Sequence, residues 1–148
     1  MINVARSITI NRPVAEVFAY VSDVSHEPAW HTDVLEARQI SEGPIGIGTS
    51  FLIRVKPSMG VSEGVTHVIG FEPNRRQEMR GEMGRMRPTV TDLFEPADGG
   101  TKFTRRVQID ASGLMGLMLL LMRPMVGKIH TGFLANLKRV LEQETPRV

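Results

Sequence analysis

Four histidines, His26, His31, His67 and His130, are the side chains that titrate near neutral pH, and no two of them form a His-x-His or His-x-x-x-His pair. There is no cysteine, so a thiol nucleophile, a disulfide framework and cysteine-based metal sites are all excluded. No Gly-x-Ser-x-Gly elbow occurs. The glycines of Gly43 to Gly48 are not followed by Gly-Lys-Ser/Thr, so they read as a turn and not as a phosphate cradle. The expectation is therefore no metal and no cofactor, with any chemistry resting on a few polar residues set among apolar ones.

Two such residues stand out as catalytic candidates. Alternation places His67 on one strand face with Val65, Ile69 and Phe71, and Arg105 on another with Phe103, Val107 and Ile109. Phe51, Ile53 and Val55 form the apolar face of a third strand. On a concave wall His67 could exchange protons at neutral pH, and Arg105 could pair with a carboxylate or polarise a carbonyl. The plain alternatives stay open: His67 as a hydrogen-bonded core residue, Arg105 as a strand-end residue turned to water. Trp30 reads as packing near the mouth of such a site, with His31 solvated beside it.

These strands need something to close around. From Val126 onward, Val126, Ile129, Phe133, Leu137, Val140 and Leu141 recur every three or four residues, opposite Lys128, Thr131, Asn136, Lys138, Arg139 and Glu142. That is an amphipathic helix. The preceding Leu114 to Met122 has no polar face at all. Pro124 between them either kinks one helix or opens a second. A single rod of about 30 residues would be roughly 45 Å long, too long for a chain of this size to ignore. Met115, Met118 and Met122 then read as an adaptable pocket wall, or else as core or an oligomer contact.

The rest of the chain supplies the wrapping. Ile2 to Ile10 alternates as a strand, and Pro13 opens a short helix through Val14, Val17, Phe18 and Val21. Asp23 or Ser25 caps a second helical turn. Strands are predicted at Val34 to Ile40, Ser50 to Lys56, Val61 to Glu72, Gln77 to Met83, Arg87 to Glu95 and Lys102 to Asp110. The separators are short and rich in Gly, Pro, Asn and Asp, which predicts antiparallel neighbours. The predicted class is α+β: a curved antiparallel sheet of about seven strands around a long C-terminal helix, with two short helices after the first strand.

The chain has 148 residues, 41% hydrophobic and 23% charged, with net charge +2, which is ordinary globular composition and predicts one domain over residues 1–148. No secretion pattern opens it, and Leu114 to Met122 is too short to span a bilayer, so a soluble cytoplasmic protein is expected. Arg75, Arg76, Arg80, Arg85 and Arg87 cluster in one predicted hairpin. They read either as a solvated polar edge or as a surface for anionic lipid, and without stacking aromatics they do not point to nucleic acid.

The arrangement resembles the START-like, or SRPBCC, superfamily with its helix-grip fold, which includes Bet v 1-like proteins, START lipid-transfer domains and polyketide cyclase/dehydrase-like proteins. The matching stretches are Ile8 to Phe18, Val21-Ser22-Asp23 through Trp30, Gly46 to Thr49, Phe71 to Arg76, Phe94-Glu95-Pro96 with Gly99 to Thr104, and Asn136 to Glu142. They span nearly the whole chain but mostly supply turns and packing, so they speak to fold more than chemistry. The resemblance implies a cavity between sheet and helix for a small hydrophobic molecule such as a lipid, an isoprenoid or a polyketide-like compound. Trp30, Phe51, Ile53, Val55, Val65, His67, Ile69, Phe103, Arg105, Met115, Met118 and Met122 are the candidate ligand-binding residues. Two other readings stand beside it: a cyclase/dehydrase-like enzyme using polar cavity residues, and an interaction module whose Met/Leu-rich helix docks on a second copy or a membrane surface.

Overall fold

A computed structural model describes residues 2–58, 60–110 and 113–143. Strand β1 (Ile2–Ile10) is followed by helix α1 (Val14–Ser22) and a short 3-10 helix (Val24–Ala29). Six strands come next: β2 (Val34–Gln39), β3 (Ser50–Ser58), β4 (Val61–Glu72), β5 (Arg76–Glu82), β6 (Arg87–Ala97) and β7 (Gly100–Asp110). Helices α2 (Gly113–Leu121) and α3 (Arg123–Gln143) complete the described chain. β2 to β7 form the meander that the short turns predict, and β1 joins it by pairing with β7 from Ile2↔Ile109 to Ile10↔Thr101. The resulting order is β1-β7-β6-β5-β4-β3-β2, antiparallel throughout. The sheet curls against the C-terminal helix in the helix-grip arrangement.

Local chemistry sets the joints. Asp98 and Gly99 both take positive φ, 44° and 79°, so the β6–β7 connection is a two-residue turn and the strands run closer to it than sequence alternation suggests. The carbonyl of Pro13 accepts from the N–H groups of Glu16 (3.0 Å) and Val17 (3.1 Å), starting α1, whose Val17, Phe18 and Val21 are buried. Asp23 caps the following short helix, its Oδ1 accepting from the Ser25 N–H at 3.0 Å and the Ser25 hydroxyl at 2.6 Å.

Pro124 opens a second helix. The Met122 N–H donates to the Met118 carbonyl at 3.0 Å, the Val126 N–H donates to the Met122 carbonyl at 3.0 Å, and Pro124, which has no N–H to give, lies in the first turn of α3. α3 buries Phe133, Leu134, Leu137 and Leu141. Leu134, outside the predicted apolar stripe, is buried, while Ile129 within it is 40% exposed. These side chains join Ile10, Phe18, Trp30, Phe94 and Phe103 in the main core, where Phe18 meets Phe71 and Phe94 edge-on at 5.3 and 5.0 Å. A second cluster of Val24, Val34, Phe51, Ile53, Val68 and Met79 occupies the other half of the sheet. Among the described residues no helix is long and apolar enough to cross a membrane.

Candidate functional site

A cavity of about 240 Å³ lies over the concave face of the sheet. Strand residues Val34, Ile53, Val55, Met79, Val90 and Val107 supply apolar walls, and Met83, Met86 and Ile109 line it near the β5–β6 turn. Its polar lining comes from Glu27, His31, Thr66, Arg105 and His130.

Arg105 is the centre of the polar end. Its Nε donates to Asp92 Oδ1 at 2.8 Å and its Nη2 to Asp92 Oδ2 at 2.8 Å, a bidentate fork, while Nη2 also donates to Glu27 Oε2 at 3.0 Å. All three side chains are buried, and the guanidinium carbon stacks over the Trp30 ring at 4.7 Å. Burial by itself would weaken the charge on Arg105, but the carboxylates of Asp92 and Glu27 outweigh it and hold the guanidinium firmly protonated. Burial pushes the Asp92 carboxyl above its ordinary range, against the pull of Arg105. With two carboxyl groups for one guanidinium, the group carries no net positive charge.

Two imidazoles stand in the same cavity. The capped short helix turns the chain at Glu27, whose carbonyl accepts the N–H of Trp30 at 3.0 Å and of His31 at 2.7 Å, and this carries His31 inward. The His31 ring stacks on Phe133 with centroids 4.0 Å apart. The residue keeps some contact with solvent, but its Nδ1 is sealed and has no hydrogen-bond partner among the described residues. Burial first, then the positive charge of Arg105, push its pKa down to about 3, so the ring is neutral at pH 7. His130 is held below its usual value chiefly by burial. Its Nδ1–H donates to the Val126 carbonyl at 2.9 Å, which leaves Nε2 as the acceptor of the neutral ring.

The structure sorts the predicted residues. Ile53, Val55 and Arg105 lie on the cavity wall. Trp30, Phe51 and Phe103 are fully buried in the two clusters and are packing, not wall. His67 faces the other way: its Nδ1 meets the Ser50 hydroxyl at 2.8 Å, its Nε2 lies 3.4 Å from Glu82, and with Ile69 it borders an outer cleft. The inner face of β4 belongs instead to Gly64, Thr66 and Val68, which puts Val65 on the outer side as well. The register shift between Val68 and Gly70 then returns Phe71 to the core. Met118 is 43% exposed, Met122 is half-buried, neither lines the cavity, and the Met115 side chain lies outside the described residues. The arginines of 75–87 are not one patch. Arg75 and Arg76 pair with Glu72 and Glu78 at one end of β5, while Arg87 donates to the carbonyls of Gly84 and Met86 beyond the other end.

Four polar groups of the site were not singled out from sequence, or were given another place. His31 was expected in solvent, and Glu27, Asp92 and His130 were not named for it. Asp92 had a signal: it alternates with Val90 and Phe94 on an otherwise apolar strand face, and it is the cross-strand partner of Arg105. Among the described residues no group of three or more His, Asp or Glu side chains is arranged to hold a metal ion.

Known structures share this architecture. TTHA0849 from Thermus thermophilus superposes with a TM-score of 0.77 at 18% identity, over 97% of this chain and 99% of that one. Ara h 8.0201 gives 0.67 at 18% identity, over 95% and 98%. The di-domain ARO/CYC BexL from the BE-7585A biosynthetic pathway gives 0.75 at 18% identity, over 96% of this chain and 47% of BexL, so the chain spans about half of that protein. No curated protein sequence matches significantly. Likeness at such identity speaks for the fold alone, but residues 1–142 match a family directly, and the chain belongs to the polyketide cyclase / dehydrase and lipid transport family.

Proposed function

We propose that this protein binds a small, mainly apolar molecule in the cavity, with a neutral polar group of the ligand at the His31–His130–Arg105 end. The observation that carries the reading is the pairing of apolar walls with a few convergent polar groups, Glu27, His31, Thr66, Arg105 and His130. The volume of about 240 Å³ lies just below the roughly 300–1,000 Å³ usual for ligand sites. It suits a compact ring system or a short acyl chain, not a whole diacyl lipid. A carboxylate ligand is disfavoured because the charge of Arg105 is already balanced by Asp92 and Glu27. A hydroxyl or carbonyl fits neutral imidazoles better.

Native mass spectrometry of freshly purified protein, with extraction of any bound compound, tests this first. Titration with a neutral apolar dye such as Nile red should saturate, and Val55→Phe, which fills the wall, should weaken it about tenfold or more, a loss of roughly 1.4 kcal/mol. Failure of Val55→Phe to affect dye binding would remove the cavity from the proposal.

One observation favours a second reading, proton transfer on a polyketide-like chain folded in the cavity. His31 and His130 are both unprotonated at neutral pH and lie in one cavity with Glu27 and Arg105. The fold is also that of BexL, an ARO/CYC protein. His31→Gln and His130→Gln should then abolish turnover while leaving Nile red binding in place. His67 has no part in this reading.

A further inference from the structure

We infer that α2 and the start of α3 form a docking surface for an anionic lipid bilayer. Leu114, Leu117, Met118, Leu121 and Met125 follow one another at helical spacing, and all are between 43% and 76% exposed. Contiguous apolar surface of this kind marks an interaction site. Among the described side chains of α2 only Leu119 is buried, against Ile2 and Val4 of β1.

Charge selects the partner. From Gly113 to Leu141 there is no Asp or Glu, while Arg123, Lys128, Lys138 and Arg139 are present. Leu120, 53% exposed, extends the arc on one side, and Arg123 stands three residues after it, beyond that edge. There it meets Arg6 and Arg106 in a polar cleft of about 620 Å³ between β1, β7 and the start of α3. None of these three guanidiniums has a carboxylate partner among the described residues; the recorded bond of Arg6 is to the carbonyl of Ala5. An apolar helix face flanked by unneutralised arginines fits a headgroup layer of negative charge over an acyl interior. A second copy of the chain would bring more uncompensated arginines to the same interface and no carboxylates from this helix segment to balance them.

Leu119 also packs with Met86 and Ile109, which line the cavity, so a docked bilayer would lie beside the cavity rim. Docking does not depend on the cavity holding a ligand, and the two are tested apart.

The experiment is flotation of the full chain with vesicles of phosphatidylcholine alone and of phosphatidylcholine with phosphatidylglycerol. Capture is expected by the anionic vesicles only and should fade as salt rises. Arg106→Glu with Arg123→Glu should weaken it at least roughly fivefold per arginine. Leu117→Gln with Leu121→Gln should abolish it, while dye binding sensitive to Val55→Phe is retained. All four positions are exposed, so the fold should survive, and far-UV circular dichroism checks this. Absence of capture by anionic vesicles at low salt overturns the proposal, as does capture indifferent to these variants. A dimer in sedimentation equilibrium that Leu121→Gln dissociates assigns the face to a second copy and overturns it too.

Discussion

Arg105 shows how costly one residue can be to place. Its two carboxylate partners are buried with it, so Arg105→Met would leave Asp92 and Glu27 without a counter-ion, and urea unfolding should show a loss of about 3–5 kcal/mol. The charge-balanced guanidinium also sets ligand choice, and naphthol should bind more tightly than naphthoate by roughly tenfold or more in competition with Nile red. His31 sets a pH dependence. Its folded pKa of about 3 is below the ordinary 6.5, so between those values the unfolded chain takes up a proton that the folded chain refuses. Stability contributed by the neutral ring is complete above pH 6.5 and is lost as pH falls towards 3. His130 acts in the same direction and Asp92 in the opposite one, so the clean measurement is a difference. Between about pH 7 and about pH 5, wild type should lose more stability than His31→Asn, by on the order of 1 kcal/mol per pH unit.

At the scale of elements, two glycines mark close approaches with opposite tolerance. In α3, a Cβ on Gly127 would meet the guanidinium end of Arg6, which can swing aside. Gly127→Ala should be neutral or stabilising by up to about 1 kcal/mol through helix propensity. At the start of β7, a Cβ on Gly100 would meet the backbone carbonyl of Ile10, where the last residue of β1 pairs. Gly100→Ala should cost about 1–3 kcal/mol in thermal or urea unfolding, because backbone cannot move without loosening the β1–β7 pairing.

At the scale of the molecule, the cavity couples binding to stability. A ligand that occupies only the folded state should add about 2.7 kcal/mol at a hundredfold excess over its Kd, seen as a rise in Tm of several degrees. Val55→Phe should lose that rise without losing the transition. A Tm unmoved by any compound that titrates Nile red away would separate dye displacement from binding in the cavity. The exposed α2 surface is independent of this coupling, since none of its described side chains lines the cavity.

Elements were legible in the sequence because their causes are local. Periods of two and of three to four, Pro13, Pro124 and the Pro96 to Gly100 separator each act within a few residues. They sufficed for the order strand, two short helices, six-strand meander and C-terminal helix, and for the inward faces of β3 and β7. The site was less legible because its members meet through the fold. Glu27 comes from a short helix, Asp92 and Arg105 from paired strands, and His130 from α3 more than a hundred positions after Glu27. Only packing decided that His31 is enclosed, since a lone histidine beside a tryptophan carries no sign of its solvation. In β4, apolar residues on both faces made the alternation ambiguous, and a bulge between Val68 and Gly70 breaks the period that had joined His67 to Phe71. A bulge costs one unpaired residue and leaves no fixed residue type behind, so the direction of His67 was settled by tertiary pairing with β5 and not by its own segment.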